Sequence, residues 1–166
     1  MRSPLELSLR SYGKRRPYAA PSPENLHAFE GRYSLRLPLD YVQFLETVNG
    51  GAPTLGLAGD LGVNDFFGLG PVEPLHVDSP EDGWEDGNLW AETRVFRHFF
   101  AELGIPINLH VPIARDGGGG LWLIECTTPA GAVDFVTMES RRLRRCFESF
   151  ANFLDAFQPR RRGRRR

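Results

Sequence analysis

Asp116 is followed by four consecutive glycines, Gly117 to Gly120, set between the apolar runs VPIA and LWLI. Backbone amides in such a run could cradle a phosphate, or the run could simply turn the chain. A phosphate loop needs G-x-x-x-x-G-K-[ST] opening a helix, and a dinucleotide fingerprint also needs a following helix. Here LWLIEC follows, which is strand-like and carries no Lys-Ser/Thr. The run is therefore predicted to be a hairpin turn, because glycine adopts positive φ without steric cost.

The other chemical groups are Asp78, Glu81, Asp82, Glu85 and Asp86, with Trp84 among them. A calcium loop would space its ligands differently: Gly83 and Gly87 fall out of step, and Trp84 occupies a ligand-type slot. Two readings stay open, a solvated loop that complements the helix dipole after it, and a protein-docking surface anchored by Trp84. His27, His76, His98 and His110 are never three or four residues apart, so no helical metal pair exists. Cys126 and Cys146 have no metal-ligand spacing and form no disulfide framework, and are read as reduced thiols in or near the core. No Ser-His-Asp or Cys-His arrangement is suggested locally. The expectation is a protein that is not an enzyme and holds no metal or cofactor.

Charge is strongly separated along the 166 residues, although the net is only −1. From Leu37 to Thr93 there is no Lys or Arg, while that stretch holds 11 acids. Residues 1–36 carry seven bases against three acids, and residues 94–166 carry thirteen against seven. Six of those bases form the terminal RRRGRRR. Such separation concerns partners and steering rather than fold. SRRLRR at 140–145 and the tail could meet a phosphate backbone, but no RNA-binding or helix-turn-helix signal accompanies them. A solubilising or intramolecular tail is the preferred reading. No stretch approaches the length of a membrane span, and MRSPLELSLR lacks a signal-peptide apolar region. The expected compartment is the cytoplasm.

The elements that must position these groups follow from apolar spacing. Ser22-Pro23-Glu24 starts a helix over about 23–31, with a hydroxyl cap, Pro in the first turn and an acid near the positive end. Leu37, Tyr41, Phe44, Leu45 and Val48 make the stripe of a second helix. Asn49-Gly50-Gly51 ends it, because these residues tolerate left-handed backbone. TLGLA and DFFGLG read as short strands. LWAETRVFRHFFAELG reads as a long helix with Trp90, Phe96, Phe99, Phe100 and Leu103 on its apolar face. LHVPIAR, LWLIEC and AVDFVTM read as three strands joined by short turns, hence an antiparallel meander. FESFANFLDAF is a final helix that Ser149 can cap. The prediction is an α+β fold: a single antiparallel-rich (mixed) sheet with helices packed against it on one side.

Several segments resemble one family in order. LPLDYVQFLETVNGGAP resembles the Pro-led helix ending in Asn-Gly-Gly of the SUKH superfamily, Smi/Knr cell-wall-regulator type. DFFGLG is similar to its Phe-Gly strand, VPIARDGGGG to its glycine hairpin, and SFANFLDAF to its closing helix. Three positions depart from the pattern. Gly120 stands where the family usually has Asn or Asp, Glu125 stands where Asp is commoner, and FVTMES lacks the usual aromatic-Asp ending.

The resemblance implies an α+β fold and non-catalytic binding. It covers about residues 22–157, which sets an N-terminal extension at 1–21 and a SUKH-like domain at 22–158; the Arg-rich tail at 159–166 lies outside it and is expected to be disordered, since like charges repel there and nothing apolar is left to bury. It further implies an immunity protein that binds a cognate toxin domain delivered by neighbouring cells, often a nuclease and hence basic. The base-free, acid-rich stretch suits such a partner, and the expected contacts are Asp78, Glu81, Asp82, Trp84, Glu85 and Asp86. The alternatives are a regulatory or scaffold domain of the Smi/Knr type, and a nucleic-acid-associated protein acting through its arginine runs.

Overall fold

The computed structural model describes residues 18–54, 56–57, 61–71, 87–101, 107–137 and 139–158. Helix α1, Pro23–Tyr33, begins as its sequence requires: Ser22 accepts a hydrogen bond from the Asn25 amide, and Pro23 occupies the first turn. Ser34 closes it with φ 52°, in the left-handed region. Helix α2, Leu39–Thr47, follows from Pro38 and buries Tyr41, Phe44 and Leu45. The chain then turns through Asn49, Gly50 and Gly51, all at positive φ. Helix α3 is Leu89–Ala101, and α4 is Phe150–Asp155, capped by Ser149 on the Asn152 amide.

A short strand β1, Gly56–Leu57, precedes β2, Asp65–Phe66. Then come β3, His110–Arg115; β4, Leu121–Glu125; β5, Val133–Val136; and β6, Arg144–Phe147. These last five strands form one sheet in the order β2-β3-β4-β5-β6, every neighbour antiparallel. The meander expected for 109–138 is its centre. A final strand β7, Phe157–Gln158, pairs antiparallel with β1 in a separate two-stranded ribbon.

The helices do not all lie on one side of the sheet, as the sequence reading has it. Successive strand residues point to opposite faces. Trp122 and Ile124 of β4, with Val133 and Phe135 of β5, belong to the large core that includes α1, α2 and α4. Leu123 and Val136 instead join Phe96 and Phe100 of α3 in a second cluster. Both faces of the central strands are therefore covered by helix. Phe99 also departs from expectation: it is 51% exposed, because α3 turns only the Phe96 and Phe100 side to the sheet. Leu103 lies outside the described residues.

The larger core is built from rings. Phe153 of α4 meets Trp122 at 5.1 Å, Phe147 at 5.3 Å, Phe157 at 5.5 Å and Phe66 at 6.0 Å between centroids. Aromatic pairs in such edge or tilted arrangements add about 0.5–1.5 kcal/mol beyond their buried area. Phe153 thereby ties α4 to β2, β4, β6 and β7 at once.

Two strands escape the sequence reading. β6 is RRCF, which reads as a charge run, and β7 is two residues long. β6 forms because Phe147 packs on Trp122 while Arg145 pairs across to Asp134. Its arginines also blunt an edge strand against unwanted pairing.

Replacing Phe153 by Ala is expected to cost about 3–5 kcal/mol in urea unfolding, as for other large-to-small changes in a ring-filled core. Phe99→Ser should stay within about 0.5 kcal/mol of the parent, since the ring is already half in water.

Candidate functional site

The acid-rich candidates Asp78, Glu81, Asp82, Trp84, Glu85 and Asp86 lie outside the described residues. What the structure does place is the pair of roots from which that segment leaves and to which it returns. On the outgoing side, Gly68 bridges in parallel to Asn88. The Gly68 amide donates to the Gly87 carbonyl at 2.8 Å, and the Leu89 amide donates to the Gly68 carbonyl at 2.8 Å. The described residues on either side of 72–86 are therefore held together in one closed stem.

Four side chains fasten this stem. Asn49 accepts from the Leu69 amide at 2.7 Å and donates to the Leu69 carbonyl at 3.1 Å and to the Ala19 carbonyl. Gly68 runs so close to Asn49 that a Cβ there would overlap the Asn49 carbonyl oxygen. Asn88 accepts from the Trp90 amide at 3.1 Å, capping α3. Glu92, in the first turn of α3, accepts from the Gly87 amide at 3.1 Å. Arg115, at the end of β3, reaches Glu92 at 2.5 Å and Asp65 at 3.4 Å, and its guanidinium lies 4.9 Å from the Phe67 ring centroid. The sequence marks Asn49 only as a helix terminator. Its second role, and the pairing of Glu92 with Arg115, carry no local signal, because those partners are 20 or more residues apart.

The glycine run is a hairpin between β3 and β4. Asp116 Oδ1 accepts from the amides of Gly118 at 2.9 Å and Gly120 at 2.6 Å, and the Asp116 amide donates to the Gly120 carbonyl at 3.0 Å. Gly119 sits at φ 85°. These amides are taken by the loop's own aspartate rather than offered to an anion. A Cβ on Gly120 would overlap the Phe135 ring, coming within 2.8 Å of Cε2. Phe135 is itself packed on Trp122 at 4.8 Å. The side chain that the family pattern places at 120 has no room beside this phenyl ring.

On the α3 side of the sheet, four polar residues form a row across β3 to β6. His110 Nε2 lies 3.1 Å from Asp134 Oδ2, and Arg145 Nε donates to Asp134 Oδ1 at 2.8 Å. Arg145 also pairs with Glu125, whose other carboxylate oxygen accepts from Thr127 at 2.5 Å. Among the described residues, His110, Glu125 and Asp134 alone bring three metal-ligating atoms within 4.8 Å. The cationic position beside both carboxylates belongs to the Arg145 guanidinium, so this donor set is an ion-pair network. Burial alone would raise the Asp134 carboxyl, but hydrogen bonds from His110 and Arg145 outweigh it and hold the group below its usual range. Two arginines of the SRRLRR run are thus engaged within the fold: Arg145 here, and Arg144 over the Phe135 ring at 5.9 Å.

A third feature is an open groove of about 1060 Å³ between the end of α1, the 35–39 linker and the β4–β5 turn. Leu39, 74% exposed, and Leu109, 45% exposed, stand on it, with Cys126 in its wall. Cys126 and Cys146 are free thiols. Burial pushes the Cys126 thiol up to about 12, which leaves almost no nucleophilic thiolate near neutral pH.

Two outcomes follow. Gly120→Asn should cost about 1–3 kcal/mol through overlap with Phe135, and Phe135→Val should recover part of that loss in the double variant. For Asp134, the depressed carboxyl gives stability that is complete above the unfolded carboxylate range and is lost as pH falls through the lower folded value. The parent should therefore weaken more steeply than Asp134→Asn between pH 7 and about pH 3 in urea titrations, because only the parent takes up that proton on acidification.

Among the described residues, no helix is long and apolar enough to cross a membrane. No curated protein matches the chain. The model of the SMI1 / KNR4 family (SUKH-1) matches residues 20–156, a span that takes in helices α1 to α4 of the described residues, the five-stranded sheet, the Asn49 turn and the glycine hairpin. With four helices set against an antiparallel meander, and that match over most of its length, the chain belongs to the SMI1 / KNR4 family (SUKH-1).

Proposed function

We propose that this protein is an immunity protein: it binds a cognate, basic toxin domain and blocks it by occupancy, in the cytoplasm, without catalysis or a cofactor. The observation that carries this reading is the 37–93 stretch, with 11 acids and no base. A nuclease must be positive where it grips phosphate. An acid-rich surface competes for that same position, and opposite fields speed the encounter. Trp84 supplies an aromatic anchor among the carboxylates, of the kind that dominates interface energetics. Family membership supports a binding role. The regulatory reading shares the same fold, and the groove beneath Leu39 and Leu109 offers it a protein-docking surface.

The test converts Asp78, Glu81, Asp82, Glu85 and Asp86 to their amides and measures binding to the basic product of the adjoining gene. The association rate should fall by about 10- to 100-fold at low salt, and its salt dependence should flatten. Growth rescue on co-expression should weaken in parallel. Equal binding by the parent and the amide variant at low and high salt would rule out this interface. Absence of any toxin gene beside this one favours the regulatory role.

A further inference from the structure

We propose that the outer edge of β6 is a docking site for an extended, acid-rich peptide segment of another protein, which joins the sheet as one more strand. The site uses none of the acid-rich stretch and does not depend on the toxin reading. β6 ends the sheet, and among the described residues no strand pairs with its outer side. The opposite end is closed: Phe66 of β2 exchanges both backbone bonds with Gly51, at 3.1 and 2.9 Å. Among the described residues no turn, loop or cap bond reaches the β6 main chain, apart from the Cys146 thiol, which donates to the Arg144 carbonyl at 3.3 Å. An edge of this kind is a row of N–H and C=O groups ready to pair with a further chain.

Charge selects which chain can do so. Residues 141–147 hold four arginines and no acid. Arg145 is committed to Asp134 and Glu125, and lies 3.9 Å from Glu148. Arg141, Arg142 and Arg144 are exposed and make no ion pair among the described residues. Leu143 and Arg145 turn to the α3 side of the sheet, while Arg144 turns the other way, over the Phe135 ring. Pairing with a second copy of β6 would set these guanidiniums against their own kind, and like charges directly opposite destabilise a ladder. A nucleic acid would neutralise the arginines, but it has no alternating N–H and C=O groups to meet the edge. A strand bearing carboxylates meets both demands, main chain to main chain and carboxylate to guanidinium. The arginines thus repel copies of this chain and attract an acidic strand, which is how specificity at an open edge is obtained.

The probe is a capped peptide of about six residues alternating Glu with Val or Thr, the usual length of a strand. It is bound to the full chain in which Arg160, Arg161, Arg162, Arg164, Arg165 and Arg166 are all changed to Gln, so that the tail cannot supply the attraction. Amide exchange at the outward positions of Arg144–Phe147 should slow about tenfold or more on binding, while Trp122 and Leu123 at the sheet centre keep their rates. N-methylating one of the peptide's two alternate sets of amides should weaken binding about tenfold or more, and the other set far less, because only one set faces the edge. Arg141→Gln with Arg142→Gln and Arg144→Gln should weaken binding about tenfold, and the same three positions changed to Lys should stay within about threefold of the parent. The Gln variant should unfold in urea as the parent does, since all three side chains are exposed. Failure of the peptide to bind, parental binding by both N-methylated forms, or parental binding to the Gln variant overturns the proposal. So does β6 protection that appears without peptide and grows with protein concentration, which assigns the edge to a second copy. Displacement of the peptide by a single-stranded oligothymidylate of equal charge assigns it to nucleic acid and overturns the proposal as well.

Discussion

The central strand β4 has to bury both of its faces. LWLI places Trp122 and Ile124 on one side and Leu121 and Leu123 on the other, and a run apolar at every position cannot leave either face in water. The rest of the architecture answers that demand. One face receives the ring cluster around Phe153, which draws α4, β2 and β7 together. The other receives Phe96 and Phe100 of α3. To bring α3 to that face, the chain must pass from β2 to α3, and residues 72–86 fall between these two elements in sequence. The residues on either side of that stretch, Gly68 with Gly87 and Leu89, close together where β2 ends and α3 begins.

The polar groups of the body mark where apolar cover stops. His110, Glu125, Asp134 and Arg145 share the α3 face of the sheet but are absent from its apolar cluster, so their polar groups satisfy one another across four strands. Arg115, Asp65 and Glu92 do the same between the sheet and α3. In both places one guanidinium meets two carboxylates, a geometry suited to its planar fork. The outcome differs. The first network fastens an edge strand whose sequence alone would not form one. The second joins the end of β2 and β3 to the first turn of α3.

Departures from the family pattern have a physical reading at one position. Gly120 is required by the ring of Phe135, which lies over the hairpin and leaves no space for a β-carbon. Phe135 is in turn packed on Trp122. At 125, Glu reaches Arg145 on β6 and Thr127 in the following turn.

Local chemistry in the sequence determined the helix starts at Ser22 and Ser149, the left-handed stop at Asn49, the glycine hairpin and the antiparallel order of β3 to β5. Each of these depends on residues within a few positions of one another: a cap oxygen, a glycine φ, a two-residue period. The charge separation that motivates the proposed function was equally plain, since charge is counted without knowing the fold. Only the tertiary structure decided that α3 covers the opposite face, that Phe99 points to solvent, that an arginine run becomes β6, and that Asn49, Glu92 and Arg115 meet at one stem. Those outcomes depend on which distant groups share a buried volume. Burial and ion pairing are set by through-space distance, and 20 to 50 residues of intervening chain carry no local trace of it.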